Sequence, residues 1–283
     1  MRRRLIHHTF RAVTGLCAAA ACLVFGGIVW AIVRRGWPAV SWSFLTEQIK
    51  RVGAEGGIFY NLVGTGILVA TALVVCMPFA LGLALLHGIY LKDSRLRGAT
   101  TVLLHLLNGV PSIVFGIAGM MVFVHWLGWG KSWLSGGILL GFMILPTVTV
   151  ALAERMDRLP WRYVEAAAGL GLRRSQIIRS VILPQSMGGL VTGSLLGLAR
   201  AAGETAPIMF TATIFSGATF PDGIRENPVL SLPYHIFILA QDSFDPDAGR
   251  NLWGAALTLL ALVVVLSATA LPARLKFHEE ARF

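Results

Sequence analysis

Charge is what this sequence has least of. Only 13% of its 283 residues are Asp, Glu, Lys or Arg, while 55% are hydrophobic; an ordinary soluble domain is about a quarter charged. A soluble enzyme is a poor match to that balance. Cysteine is scarcer still, and Cys17, Cys22 and Cys76 fall in apolar stretches without the spacing of a zinc site. They are expected to pack as small apolar side chains. The sequence has no Gly-x-x-x-x-Gly-Lys-Ser/Thr phosphate cradle, so the chain is not itself an ATP-hydrolysing subunit. It has no Gly-x-Ser-x-Gly elbow, and Gly169-x-Gly171 lacks the third glycine and the preceding strand of a dinucleotide site. A membrane-embedded phosphatase or transferase would need a titratable cluster at the interface, and none is evident.

Long apolar runs fill the chain instead. Uncharged stretches cover 12–33, 56–91, 98–130, 132–153, 180–199 with 205–221, and 251–273. A bilayer core of about 30 Å takes about 20 helical residues, so each can span. The pattern predicts an all-α polytopic membrane protein with about six transmembrane helices. The run from 56 is too long for one perpendicular helix, which is placed from about Leu62, with Gly56 and Gly57 at the membrane surface. Trp126 and Trp129 are expected in the interface. The implied organisation is an N-terminal tail, first span and periplasmic loop over 1–55, a five-span core over 56–275, and a cytoplasmic tail over 276–283.

Basic residues orient these spans. Sixteen lie on one side: four before residue 12, three in 92–97, six in 155–179 and three after 273. Seven lie on the other: Arg34, Arg35, Lys50, Arg51, Lys131, Arg225 and Arg250. The positive-inside rule therefore places both termini in the cytoplasm. The net charge of +10 becomes a topological bias rather than a nucleic-acid surface. Arg2, Arg3, Arg4 and Arg11 before an apolar run imitate a signal peptide, but the run continues to Val33, too long for a cleavable core. It reads as an anchor.

The cytoplasmic segment between the fourth and fifth spans carries a small-residue helical turn at Glu165-Ala166-Ala167, a glycine break at 169–171, a basic amphipathic stretch, and a stop at Pro184. Such a helix lies beside the membrane, on lipid headgroups or on a partner. These residues resemble the EAA loop of ABC-importer permeases: Glu-Ala-Ala, a Gly four positions after the second Ala, then Ile-x-Leu-Pro. Glu165, Ala166, Ala167, Gly171, Leu183 and Pro184 fall on that pattern, and Val181 stands in the isoleucine slot. The resemblance implies a coupling helix that docks on a cytoplasmic ATPase.

In the fifth span, Gly189, Gly193 and Gly197 recur every four residues and mark a packing face, as do Gly137 and Gly141 in the fourth. Arg200 and Glu204 lie one turn apart where each charge costs about 2.5–3.5 kcal/mol without a partner or water. They form either a local ion pair or a site on a water-filled pathway, where a guanidinium donates to a tetrahedral oxyanion. Thr205, Thr211 and Thr213 add hydroxyls, though membrane Thr more often bonds its own helix. Pro207 is expected to free the carbonyl one turn earlier.

The run Arg200-Ala201-Ala202-Gly203-Glu204-Thr205-Ala206-Pro207 resembles the signature of A-type permeases (PstA) of the phosphate-specific (Pst) ABC importer. Asn108-Gly109-Val110-Pro111-Ser112-Ile113-Val114-Phe115-Gly116 resembles that family's third-span motif. Gly56-Gly57-Ile58-Phe59 with Val63-Gly64-Thr65 resembles the start of its second span. The resemblance implies a type I permease fold and inorganic phosphate as substrate, with Arg200 needed for translocation and Glu204 and Thr205 beside it. It also implies four kinds of partner: the lipid bilayer, a homologous second permease (PstC-like), an ATPase dimer (PstB-like) that alone binds ATP and Mg, and a periplasmic phosphate-binding protein (PstS-like). A permease for sulfate, molybdate or phosphonate, and an ion-coupled anion transporter, are the competing readings.

Two further expectations concern polar positions. His105 and Asn108 share a helix face with Thr101 and Ser112, and interhelical hydrogen bonding is favoured there over contact with substrate. The 216–250 loop carries Asp222, Glu226, Asp242, Asp245 and Asp247 and suits a binding protein or plain solvation; its apolar Pro228–Ala240 stretch is expected along the outer surface.

Overall fold

The computed structural model describes residues 2–91, 94–241 and 245–280. Lys92, Asp242 and the end of the C-terminal tail, which the sequence reading used, lie outside these described residues. The architecture is all-α. Helix α1 runs Arg2–Gly36, α2 Trp42–Thr46, α3 Phe59–Leu85, α4 Leu96–Gly109, α5 Ser112–Gly119, α6 Trp133–Asp157, α7 Arg162–Gly169, α8 Arg174–Ile177, α9 Leu183–Gly203, α10 Ala206–Thr211, α11 Leu232–Gln241 and α12 Pro246–Glu280. A two-residue antiparallel ribbon, β1 Ile49–Lys50 with β2 Glu55–Gly56, folds beside the start of α3.

Five helical segments are long and apolar enough to cross a membrane, and the bent pair α4 and α5 makes a sixth. The uncharged run 98–130, expected to be one continuous span, is bent by 90° between α4 and α5. Pro111 lacks an N–H and forces the residue before it out of helical geometry, so Val110 is extended at φ −67°, ψ 129° and α4 stops at Gly109. Helix α3 starts three residues before Leu62, with Gly57 tucked against the carbonyls of Ser43, Phe44 and Glu47.

Helix α6 is the axis of the bundle, with 72% of its apolar window buried; α1 has none of its window buried. Helices α3 and α9 press on α6 through small residues. A side-chain carbon at Gly141 would stand 3.0 Å from the Ala72 carbonyl oxygen, and one at Gly189 would stand 2.5 Å from Arg155 Cβ. These glycines do form the packing face expected of them. The core between the three helices is Leu68, Ala72, Cys76, Leu140, Met143, Ile144 and Val148, closed by Ala201, Ala202 and Ile208.

Three expectations are corrected. Cys17 and Cys22 are exposed on α1; only Cys76 is packed inside. Pro184 does not stop a helix. Residues 178–182 form a wide π turn that joins α8 to α9, and Pro184 stands in the first turn of α9, where no N–H is needed. The Pro228–Ala240 stretch does not lie along the outside: Leu230, Leu232 and Leu239 are buried, and the Leu232 N–H donates to Thr65 Oγ1 of α3 at 2.9 Å.

Candidate functional site

Arg200 occupies the last turn of α9, and the chain leaves the helix at Glu204, whose φ −76°, ψ 129° is extended. Glu204 remains one turn from Arg200, and the two form an ion pair with Arg200 Nε 3.5 Å from Glu204 Oε1. The pair is half-buried, with 29% and 18% of the two side chains exposed. Expectation and structure agree on the pair. The structure adds two partners, Asn108 at the end of α4 and Thr147 in α6.

Arg200 Nη1 donates to Asn108 Oδ1 at 2.8 Å and to Thr147 Oγ1 at 3.4 Å, and Thr147 Oγ1 donates to Asn108 Oδ1 at 3.0 Å. Three helices thus converge on one guanidinium. At about 1.5 Å per residue, Thr147 lies about 21 Å from Trp133 and about 15 Å from Asp157 along α6, near mid-membrane. Asn108 reaches this depth because Pro111 ends α4 halfway across. Thr147 escaped the sequence reading; its signal was a hydroxyl beside Pro146 in an otherwise apolar span.

Thr205 precedes α10, half-buried, and its hydroxyl bonds neither that helix nor Arg200. Pro207 sits in the first turn of α10, so it frees no carbonyl inside a helix, contrary to expectation. Thr211 and Thr213 donate to the Pro207 and Ile208 carbonyls at 2.8 and 3.1 Å, the self-satisfaction expected of membrane threonines. Gly116 of α5 lies against α10: a side-chain carbon there would stand 2.9 Å from the Ala206 carbonyl oxygen. Below the Arg200 cluster, on the cytoplasmic side, α4, α6 and His87 at the end of α3 line an open pocket of about 570 Å³ with Thr101, His105, Glu154 and the ion-paired Arg97 and Asp157. His87 Nε2 shares a hydrogen bond with Thr101 Oγ1 at 2.8 Å.

The EAA residues form a second surface. Glu165 and Ala166 are exposed on α7, and Gly171 turns the chain at φ +79°, a conformation that favours glycine. Leu183 is half-buried and Pro184 exposed. Ala167 faces the other way, into a cluster with Ala84, Leu152, Ile177 and Ile182. Arg174 of α8 lies 4.4 Å from the ring centre of Tyr90 and donates to the Ile89 carbonyl at 3.1 Å. The loop is thereby fastened to the cytoplasmic end of α3.

Residues 77–276 match the model of the binding-protein-dependent transport system inner membrane component. The chain belongs to that family. It is a multi-pass inner-membrane permease of the ABC-importer type, a transport component that works with ATPase and binding-protein partners. The chain is 31% identical over 272 residues to phosphate transport system permease protein PstA 2 of Mycobacterium tuberculosis (strain CDC 1551 / Oshkosh), covering 94% of this chain and 86% of that one. It is 33% identical over 260 residues to the probable phosphate transport system permease protein PstA of Methanocaldococcus jannaschii, with 91% and 89% covered. The resemblance to A-type permeases is borne out by these relatives. Among solved structures, a chain of the MetNI methionine ABC transporter in inward-facing conformations shares the fold. It has a TM-score of 0.53 at 16% identity, with 80% of this permease and 94% of that chain covered.

Proposed function

We propose that this permease forms half of the translocation pathway of an ATP-driven inorganic phosphate importer, and that Arg200 is its anion contact. The observation that carries the reading is a mid-membrane guanidinium held at Nη1 by Asn108 and Thr147 and paired at Nε with Glu204. Its Nη2 has no partner among the described residues. The two N–H groups of Nη2 are left to donate to a tetrahedral oxyanion. The PstA names of the relatives support phosphate over sulfate, molybdate or phosphonate.

In this reading Glu204 holds Arg200 or accepts the proton of a monoprotonated anion, and Thr205 flanks the path. The other half of the pathway is a PstC-like permease. A PstB-like ATPase dimer docks on Glu165, Ala166 and Gly171 and binds all the ATP and Mg; Ala167, Leu183 and Pro184 fix the shape of that surface from behind. A PstS-like binding protein delivers phosphate from the periplasm. ATP-driven closure of the ATPases moves α7, and through Arg174 the end of α3, which rocks the spans between two openings.

The test is phosphate uptake into vesicles by the copurified complex. Uptake is expected to require ATP, the ATPase and the binding protein. Uptake by this chain alone, driven by a proton or sodium gradient, would overturn the ABC reading; ATP-driven uptake of sulfate but not phosphate would reassign the substrate.

A further inference from the structure

Asn108 has two ends, and the structure commits only one of them. Guanidinium groups donate and never accept, so the atom that Arg200 Nη1 meets at 2.8 Å must be the carboxamide oxygen. The Thr147 hydroxyl donates to the same oxygen at 3.0 Å. With Oδ1 fixed from both sides, the amide cannot flip. Its Nδ2 therefore points away from this network with two N–H donors, and no acceptor meets them among the described residues.

Arg200 has the same asymmetry. Nε faces Glu204 and Nη1 faces Asn108 and Thr147, which leaves the two N–H groups of Nη2 unused. Both side chains are half-buried at mid-membrane, where an unmet donor is costly unless water or a ligand reaches it. Nδ2 belongs to the same side chain whose oxygen meets Nη1 of the guanidinium, so the idle donors of Asn108 and Arg200 sit on two groups in direct contact.

We propose that Asn108 is a second anion-contacting residue, whose carboxamide nitrogen donates to the same tetrahedral oxyanion as Arg200 Nη2. This rests on the reading of Arg200 as the anion contact. A neutral donor suits this place. It adds hydrogen bonds without adding charge, so the anion is recognised at the midpoint and still released. The oxygen of Asn108 serves the helices and its nitrogen serves the substrate.

The experiment uses the complete complex with its binding protein in vesicles, measuring ATP-driven phosphate uptake, with copurification of all subunits as the check on assembly. Asn108→Ala removes both ends of the side chain. Asn108→Asp keeps an oxygen for Arg200 and Thr147 but replaces the donors. Thr147→Val takes away one donor to that oxygen and leaves the amide nitrogen. Uptake should fall by about tenfold or more in both Asn108 variants, the factor carried by a lost hydrogen bond to a charged group. Thr147→Val should lose only about two- to fivefold, as for one neutral hydrogen bond of about 0.5–1 kcal/mol. Near-normal uptake in Asn108→Ala overturns the assignment, and so does an equal loss in Thr147→Val, which would make Asn108 a tie between helices only. Arg200→Gln in the same assay separates the two claims: loss there with normal Asn108→Ala rejects Asn108 alone, whereas normal uptake in both rejects the anion site itself.

Discussion

Gly193 of α9 rests directly on the backbone of Val148 in α6: a side-chain carbon at 193 would stand 3.0 Å from the Val148 carbonyl oxygen and 3.1 Å from its Cα. Backbone cannot give way as a flexible side chain can. Gly193→Leu should therefore push α9 off α6 and, with it, move Arg200 relative to Thr147. Overpacking of this kind costs about 1–3 kcal/mol. The expected outcome is a lower unfolding temperature in detergent and reduced uptake. Gly66, with nothing within 4 Å of its Cβ position, is the control site, where Gly66→Leu should change neither.

Arg200→Gln keeps hydrogen-bonding capacity and deletes charge, and should abolish phosphate uptake while the complex still assembles. Arg200→Lys should also fail by at least about tenfold, because an ammonium is a point charge that cannot hold Asn108 and Glu204 and still present a flat pair of donors. Radiolabelled phosphate uptake decides both. Arg200→Lys at wild-type rate would show that positive charge alone is required.

Gly171→Asp and Glu165→Lys should leave the permease inserted and uncouple it from the ATPase. Aspartate tolerates a positive φ better than most residues, so Gly171→Asp tests the surface more than the backbone. Substrate-stimulated ATP turnover and transport are the readouts. Wild-type values for both variants would remove the docking claim.

His235 of α11 is 3% exposed, its Nε2 has no partner among the described residues, and a side chain at Gly53 would collide with the ring. Burial pushes its pKa down to about 4. The unfolded chain, with an ordinary value of about 6.5, then binds the proton first as pH falls. Its contribution is intact above about pH 6.5 and is lost progressively towards pH 4, by at most about 3 kcal/mol. Thermal unfolding between pH 7.5 and 5 should show the decline, and His235→Leu should flatten it. An unchanged slope in the variant would assign the acid sensitivity to other groups.

Hydropathy and charge were enough to read the spans, the small-residue face of α9 and the Arg200–Glu204 pair, because each is a local consequence of residue type at fixed helical spacing. The bend at Val110–Pro111 was harder. A run of uncharged residues looks the same whether it crosses or turns, and Pro111 could have been absorbed as a kink. Thr147 was illegible for a different reason: its importance comes from α4 and α9 arriving at the same depth, which no single segment encodes. The exposed cysteines of α1 and the buried α11 were misjudged together, since apolar composition alone does not say whether lipid or protein covers a surface.

Helix α1, with none of its apolar window buried, owes little of its shape to the rest of the chain. Between residues 9 and 28, ahead of the part that packs on α12 through Arg35 and Gly36, mutations meet only fluid hydrocarbon or another subunit, so selection there should act on overall greasiness and not on particular side chains. That part of the sequence should tolerate change more readily than α6, 72% of whose apolar stretch is buried. For the engineer the same freedom is practical, because an unrelated hydrophobic anchor, or a reporter fused ahead of it, can replace the residues before Ile28 and leave the machine behind it intact.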